Sequence, residues 1–233
     1  MTFTYDNVYV KETSTIAGPY EKEGPLKKYF DKTIKDLYFN EKSFEKAEIK
    51  MVKESINILY KKAGLNKKEV DVLLGGDLLN QITATTYGAK NASKCFLGLY
   101  GACSTIVEAM IIGSVLIDSK KAKKVIATTS SHNTAAEKQF RNPTEYGAPK
   151  PDTATFTATG SSSILLTDEE SDIKVESSTI GQIIDLGQND ANNMGKVMAG
   201  AAIDTLKRHL KDLNRKPEYN DLIVTGDLGK YRK

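Results

Sequence analysis

The chain contains no tryptophan and only two cysteines among its 233 residues. The missing tryptophan decides nothing about function. The cysteines, Cys95 and Cys103, both fall in apolar stretches. That rules out a disulfide scaffold and makes a reducing compartment the simplest reading. Charge of one sign is not in excess: 33 basic and 30 acidic residues are spread together, for a net charge of +3. A dedicated nucleic-acid binder is excluded on that ground, and no nucleic-acid partner is expected. No apolar run approaches the ~20 residues that a membrane-crossing helix requires. The N-terminus, M-T-F-T-Y-D-N, lacks the basic start and apolar core of a signal peptide. Neither a leader nor a transmembrane segment is therefore expected, and a peripheral membrane location stays open.

What is present centres on the stretch from Cys95 to Lys121. Cys95 to Tyr100 reads as a short buried strand, and 104–118 as a helix apolar nearly all the way round. Such a helix is expected between two sheets. Gly101 and Ala102 make a tight turn that leaves Cys103 at the helix entrance, beside free N–H groups and the positive end of the helix dipole. A thiol there has the makings of a nucleophile. A cysteine that only fills space is the competing reading.

The rest of the chain reads as alternating strands and helices. Val8 to Thr15 forms a first strand, and 20–42 a loop with a short helix over a sheet edge. Ser43 caps a helix whose apolar stripe includes Val52, Ile56 and Leu59 and which Gly64 ends. Val70 to Leu74 is an apolar strand running into Gly75-Gly76-Asp77-Leu78-Leu79-Asn80-Gln81. A loop leaving a buried strand is where α/β proteins bind ligands. Thr83 to Ala92 is a short helix, and Val125 to Thr129 another strand. Residues 130–157 show no periodic apolar pattern and read as one long functional or partner-contacting loop. β character returns over Thr155 to Thr167, before the acidic turn Asp168 to Asp172.

A weak internal repeat follows. Glu12-Thr13-Ser14-Thr15-Ile16 is echoed by Glu176-Ser177-Ser178-Thr179-Ile180, and Gly76-Asp77-Leu78 by Gly226-Asp227-Leu228. A helix, Met194 to Leu213, precedes the second copy, as a helix precedes the first. Two matches in the same order imply duplicated βαβ halves. The expected division is 1–170 for the first half and 171–233 for the second. Residues 8–16 and 173–180 are expected at equivalent sheet positions. The second half should be incomplete, since nothing echoes the Cys103 turn and its helix, as though the chain were cut short.

The motifs Gly24-Pro25-Leu26, Gly76-Asp77-Leu78-Leu79-Asn80-Gln81, Gly98-Leu99-Tyr100-Gly101-Ala102-Cys103-Ser104-Thr105, Thr128 through Asn133, and Gln139-Phe140-Arg141 with Pro143-Thr144-Glu145-Tyr146-Gly147 resemble one family over nearly the whole chain. Strand, cysteine and buried helix within duplicated halves resemble the thiolase-like fold, which includes thiolases and ketoacyl synthases. More closely, the motifs resemble the stage V sporulation protein AD family of spore-forming Firmicutes. That resemblance implies an α/β, thiolase-like layered fold with the second half incomplete. It implies a noncatalytic component that binds dipicolinic acid (pyridine-2,6-dicarboxylate) and helps move its calcium chelate into the forespore. It implies membrane proteins of the same sporulation operon as partners, a location on the cytoplasmic face of the forespore or spore inner membrane, and a homodimer when full length, paired through the first-half sheet and the loop near 130–150. It calls for no metal and no other cofactor.

The alternative is an acyl transferase using Cys103, the position that carries the acyl group in thiolase relatives. His132 and His209 are the only histidines, and neither matches the family's catalytic ones. His209, among Lys207 and Arg208, is expected to be exposed. For a diacid, the candidate donors are the N–H groups and hydroxyls at Cys103, Ser104 and Thr105, with Asn80, Gln81, His132 and Asn133. Arg141 offers a bidentate partner for a carboxylate. Asp77 would repel the free diacid but suits the calcium of a chelate.

Overall fold

The computed structural model describes residues 1–140, 153, 155–190 and 193–228. The strands are β1 (Thr2–Thr4), β2 (Tyr9–Ala17), β3 (Lys32–Thr33), β4 (Val72–Gly76), β5 (Cys95–Gly98), β6 (Lys124–Ser131), β7 (Gly160–Thr167), β8 (Ile173–Lys174) and β9 (Ser177–Thr179). The helices are α1 (Phe44–Ala63), α2 (Thr83–Gly88), α3 (Thr105–Asp118), α4 (Asn133–Phe140) and α5 (Met194–Asp212). They fall into two compact units. Among the described residues, the larger holds 5–140 and 157–176, and the smaller 1–4, 153, 155–156, 177–190 and 193–228.

The larger unit is built on a seven-stranded sheet in the order β3-β2-β7-β6-β4-β5, with β8 also pairing β2. β5, β4 and β6 run parallel, and β7 runs antiparallel between β6 and β2. Alternation along the central strands sends neighbouring side chains to opposite faces. Leu73, Ile126 and Leu165 pack with Val52, Ile56 and Leu59 of α1. On the other face, Leu74, Val125 and Leu166 meet α3 at Gly113, where an added Cβ would lie 2.9 Å from Leu166. Each of these aliphatic side chains contributes on the order of 2 kcal/mol by leaving water. Between α1 and the sheet runs a buried chain of hydroxyls, Ser14 to Ser55 at 3.1 Å, Ser55 to Ser163 at 2.9 Å and Ser163 to Thr128 at 2.8 Å. It satisfies polar groups that would otherwise be stranded in the core.

α1 forms as its ends direct. The Ser43 hydroxyl accepts from the Lys46 N–H at 3.3 Å, and Gly64 closes the helix in the left-handed conformation at φ 65°. Two 3₁₀ turns, Glu21–Glu23 and Lys27–Tyr29, precede β3, which pairs with the end of β2. α3 differs from expectation. Its buried residues are Thr105, Ala109, Gly113, Ser114 and Ile117, while Val107 is 56% and Val115 37% exposed. The helix lies against one sheet, on one face, and its small residues are the ones that approach the strands. β5 is likewise not a buried strand: it is the sheet edge, and Cys95, Leu97 and Gly98 are exposed. Both cysteines are exposed and free. Nor is 130–157 one loop, because β6 continues to Ser131 and α4 follows at once.

In the smaller unit, β1 and β9 form a two-stranded antiparallel ribbon, Thr2 opposite Thr179. His209 of α5 is half-buried rather than exposed, bonded through Nδ1 to the Thr179 hydroxyl at 2.9 Å. The echo of β2 does not occupy the position expected of it. Residues 173–174 pair with β2 itself, and 177–179 pair only with β1. Residues 222–228 carry the strand-like sequence but join no sheet among the described residues, and Leu222 and Val224 are 77% and 79% exposed. A strand needs a partner for its backbone groups, and local sequence alone does not provide one.

Candidate functional site

The loops at the carboxyl ends of β4, β5 and β6 build the site, all within the larger unit. β4 ends on two buried glycines. A Cβ at Gly76 would stand 2.1 Å from the Leu99 carbonyl oxygen and 3.3 Å from the Thr105 methyl. Glycine here lets the β4 end press against the turn that carries Cys103. Beyond it, Asp77 is buried, and each of its carboxylate oxygens accepts a backbone N–H. Oδ1 accepts from the Leu79 N–H at 2.8 Å and Oδ2 from the Thr85 N–H at 2.7 Å. Asp77 therefore ties the loop to the first turn of α2. Gln81 and Ile82 follow with left-handed backbones, φ 55° and 47°. The strain of two such residues in succession, about 1 kcal/mol or more each, is held by the loop around them.

The Cys103 turn is a 3₁₀ turn over Ala102–Ser104 that runs straight into α3. The left-handed residue is Ala102, φ 48°, and not Gly101. Gly101 is required by space: a Cβ would meet Glu108 Oε2 at 2.3 Å and Ser104 Oγ at 2.9 Å. The Ser104 hydroxyl donates back to the Gly101 carbonyl at 2.8 Å, so its proton is committed. Thr105 is fully buried and its hydroxyl has no partner. Cys103 is exposed, as are Asn80 and Gln81. Tyr100 links the two loops by donating its hydroxyl to Gln81 Oε1 at 3.3 Å.

His132 and Asn133 stand where β6 gives way to α4. Both serve the fold. The His132 ring is fully buried, stacked on Phe44 with centroids 5.0 Å apart. Its Nε2 donates to the Leu37 carbonyl at 2.8 Å, and Nδ1 faces the Ala135 N–H at 3.5 Å. Burial pushes its pKa down, so the neutral ring is favoured. Asn133 donates through Nδ2 to the Thr157 carbonyl, and its N–H to the Thr159 hydroxyl. Arg141 lies outside the described residues, as does the whole motif from Pro143 to Gly147.

Two features escape a reading of the chain by residue type. One is Glu48, fully buried on the inner face of α1. Its Oε1 accepts from the Ser130 hydroxyl at 2.8 Å, and Oε2 has no partner. Burial, with the Asp77 charge adding to it, pushes its pKa up to about 8. The signal is in the sequence: Phe44, Glu48 and Val52 follow one another at the helical spacing of four. The other is a cavity of about 500 Å³ lined by Glu45, Leu79, Asn80, Thr83, Ala135, Lys138 and Gln139. It opens between the loop after β4, the helix after β6 and the first turn of α1, where an α/β sheet places its ligand. Gln139 Oε1 accepts from the Asn80 N–H at 3.0 Å, which leaves its NH₂ as a donor. Thr83 donates to the Asn80 carbonyl at 2.6 Å. Glu45 stays below the ordinary carboxylate range because its own backbone N–H bonds it. Partial burial opposes that effect, and the Ser43 hydroxyl and the Lys138 charge add to it. The cavity thus holds an anionic carboxylate, a lysine and amide groups over an apolar floor.

The family described as Stage V sporulation protein AD (SpoVAD) matches residues 1–233. The chain belongs to that family. It is 48% identical over 221 residues to stage V sporulation protein AD of Bacillus subtilis (strain 168), covering 95% of this chain and 65% of that protein. This SpoVAD chain therefore spans a little under two thirds of the length of that relative. Among solved structures, cerulenin-bound OleA of Xanthomonas campestris resembles it with a TM-score of 0.67 at 10% identity, over 98% of this chain and 77% of that one. The 3-oxoacyl-(acyl carrier protein) synthase III, FabH, of Xanthomonas oryzae pv. oryzae does so with a TM-score of 0.65 at 11% identity, over 98% and 80%. At such identities the likeness is one of fold: a central sheet flanked by helices, in the thiolase and condensing-enzyme manner.

Proposed function

We propose that this SpoVAD chain carries a noncatalytic site for dipicolinic acid and serves the uptake of calcium dipicolinate into the forespore. The observation that carries the reading, beside membership of the family, is the cavity between the β4 and β6 loops. Dipicolinate is a small planar dianion, and it needs a cation and converging N–H donors. Lys138 supplies the charge, and Gln139 and Asn80 supply amide groups. Glu45, the carboxylate of the lining, favours the calcium chelate over the free diacid. Cys103 and Gln81 are proposed to contact the same ligand from the neighbouring turn. Asp77, Ser104, His132 and Asn133 are proposed to act indirectly, by holding the loops. The setting proposed is the cytoplasmic face of the forespore membrane beside membrane-embedded partners, with a second SpoVAD copy paired through the β5 edge. Among the described residues, no helix is long and apolar enough to cross a membrane.

Calorimetric titration of the chain with free and calcium-bound dipicolinate, beside a full-length relative, tests this. Lys138→Ala should weaken both forms by roughly ten- to a hundredfold, the weight of one charge-assisted hydrogen bond. Glu45→Gln should weaken only the chelate. A wild-type chain that binds neither form overturns the proposal.

A second reading, acyl transfer, is favoured by one observation: Cys103 stands exposed at the entrance to α3. Mass spectrometry after incubation with acetyl-CoA separates the two. A stable adduct on Cys103 supports the enzyme. The commitment of both His132 nitrogens to backbone groups speaks against it, because that ring is not free to take the thiol proton.

A further inference from the structure

The segment between β2 and β3 is unusual for a surface loop. Tyr20, Leu26 and Tyr29 are 70%, 59% and 66% exposed. Pro25, Leu26, Lys27, Lys28 and Tyr29 are exposed without interruption. The loop nevertheless has fixed geometry. Glu21–Glu23 and Lys27–Tyr29 form 3₁₀ turns, and Pro19 and Pro25 stiffen the approaches to them. Large apolar side chains held outward on a stiff loop bury nothing within their own chain, and such a patch marks a contact surface.

The charges around it select the partner. Lys22, Lys27 and Lys28 accompany the apolar residues, and the Lys28 ammonium lies 4.9 Å from the centroid of the Tyr29 ring. Of the two acids in the loop, Glu21 is withdrawn. Its Oε1 accepts from the Thr159 N–H at 2.9 Å, and its Oε2 is buried. Only Glu23 remains exposed to offset three lysines. Tyrosine and leucine at a tip collared by lysine suit the interface of an anionic bilayer, where aromatic rings sit at headgroup level and each lysine near the surface contributes about 1 kcal/mol.

We propose that residues 20–29 form a docking loop that seats this chain on an anionic membrane surface, with Leu26 and Tyr29 in the headgroup–acyl boundary and Lys27 and Lys28 on lipid phosphates. The proposal takes its setting from the membrane-face location argued above, but its chemistry stands on the loop alone. It does not involve the diacid site.

Co-sedimentation of the full chain with vesicles tests it. Wild type should pellet with vesicles of mixed phosphatidylglycerol and phosphatidylcholine, and not with phosphatidylcholine alone. Lys27→Gln with Lys28→Gln should weaken partitioning by about tenfold or more, and Leu26→Ser with Tyr29→Ser comparably. Lys67→Gln with Lys68→Gln removes an exposed basic pair that has no apolar companion, and it should change nothing. All these positions are exposed, so circular dichroism should report intact folds. Because the chain has no tryptophan, Tyr29→Trp supplies a single reporter whose emission should shift to the blue and be quenched by brominated lipid. Binding reduced equally by the 67/68 pair would show charge attraction without a docking loop and overturn the proposal. Wild type left in the supernatant with acidic vesicles would also overturn it, leaving the patch to a protein partner. The calorimetric result with dipicolinate is unaffected in either case.

Discussion

At the scale of single residues, two of the buried polar groups of the SpoVAD chain, Glu48 and Thr105, carry predictions. Glu48 is the first. Its pKa is raised to about 8 from an ordinary 4.5. A group whose folded pKa is raised stabilises the fold fully below its unfolded pKa, and the contribution fades as pH climbs through the folded value. Stability should therefore fall between about pH 4.5 and 8 on account of this side chain. Glu48→Gln keeps the Ser130 hydrogen bond and cannot ionise. Thermal melts at pH 6 and 9 should show the variant losing markedly less stability than wild type, a difference on the order of a few kcal/mol. Parallel losses in the two proteins would mean that Glu48 is solvated after all. Thr105 is the second, fully buried with an unpartnered hydroxyl. Thr105→Val exchanges that hydroxyl for a methyl of like size, and should raise stability by about 1 kcal/mol because the desolvation penalty disappears. A denaturant midpoint that falls instead would reveal a partner for the hydroxyl, such as a bound water.

At the scale of elements, α1 was legible from end to end because its signals are local: a serine cap, a stripe at helical spacing, a closing glycine. α3 was legible as a helix but not in its placement. Composition says how apolar a helix is, while Ala109 and Gly113 decide which side approaches the sheet. β5 could not be told from a central strand, since a run of C-F-L-G reads the same at an edge. α4 lacks an apolar stripe long enough to show, and with it Lys138 and Gln139 of the cavity went unseen. Residues 221–228 carry a strand pattern, yet pairing is a property of the neighbours. The sequence placed Cys103, Asn80 and Gln81 in loops that follow strands, and all three are exposed there, with Asn80 lining the cavity. Residue type did not reveal that Asp77, His132 and Asn133 make hydrogen bonds to the backbone, because those partners, at Thr85, Leu37 and Thr157, are brought to them by the fold.

The packing of α1 on α2 yields a prediction of the same kind. Gly88 closes α2, and a Cβ there would stand 2.4 Å from Val52 Cγ1 and 2.6 Å from Val52 Cβ. Alanine is the better helix former by about 1 kcal/mol, but the β-branched Val52 is stiff at χ1 and cannot step aside. Gly88→Ala should therefore destabilise, by about 1–3 kcal/mol of overpacking. Adding Val52→Ala should restore part of the loss, so that the double variant is more stable than the sum of the two single changes predicts. Strict additivity in chemical denaturation would place the strain somewhere other than this contact.

At the scale of the whole molecule, the sheet order ends at β5, and no strand pairs with its outer side among the described residues. On the far side of the sheet, β2 is flanked by β3 and β8. β5 is short and carries Leu97, which is 50% exposed, with no charged residue from Cys95 to Gly98. An apolar, uncharged edge offers its free backbone groups to any strand that can reach them, and a second copy of the same edge is always at hand. The pairing of two SpoVAD chains proposed above follows from this: two β5 strands side by side would continue the sheet from one copy into the next. Sedimentation velocity over a range of concentrations should show a reversible monomer–dimer equilibrium. Leu97→Lys places a charge on the edge without disturbing the core, because the side chain is already half in water. It should shift the equilibrium toward monomer by tenfold or more, about 1.4 kcal/mol or above, and leave the melting temperature of dilute protein unchanged. A wild-type chain that sediments as a monomer at every concentration would sink the dimer. A dimer indifferent to Leu97→Lys would move its interface away from β5.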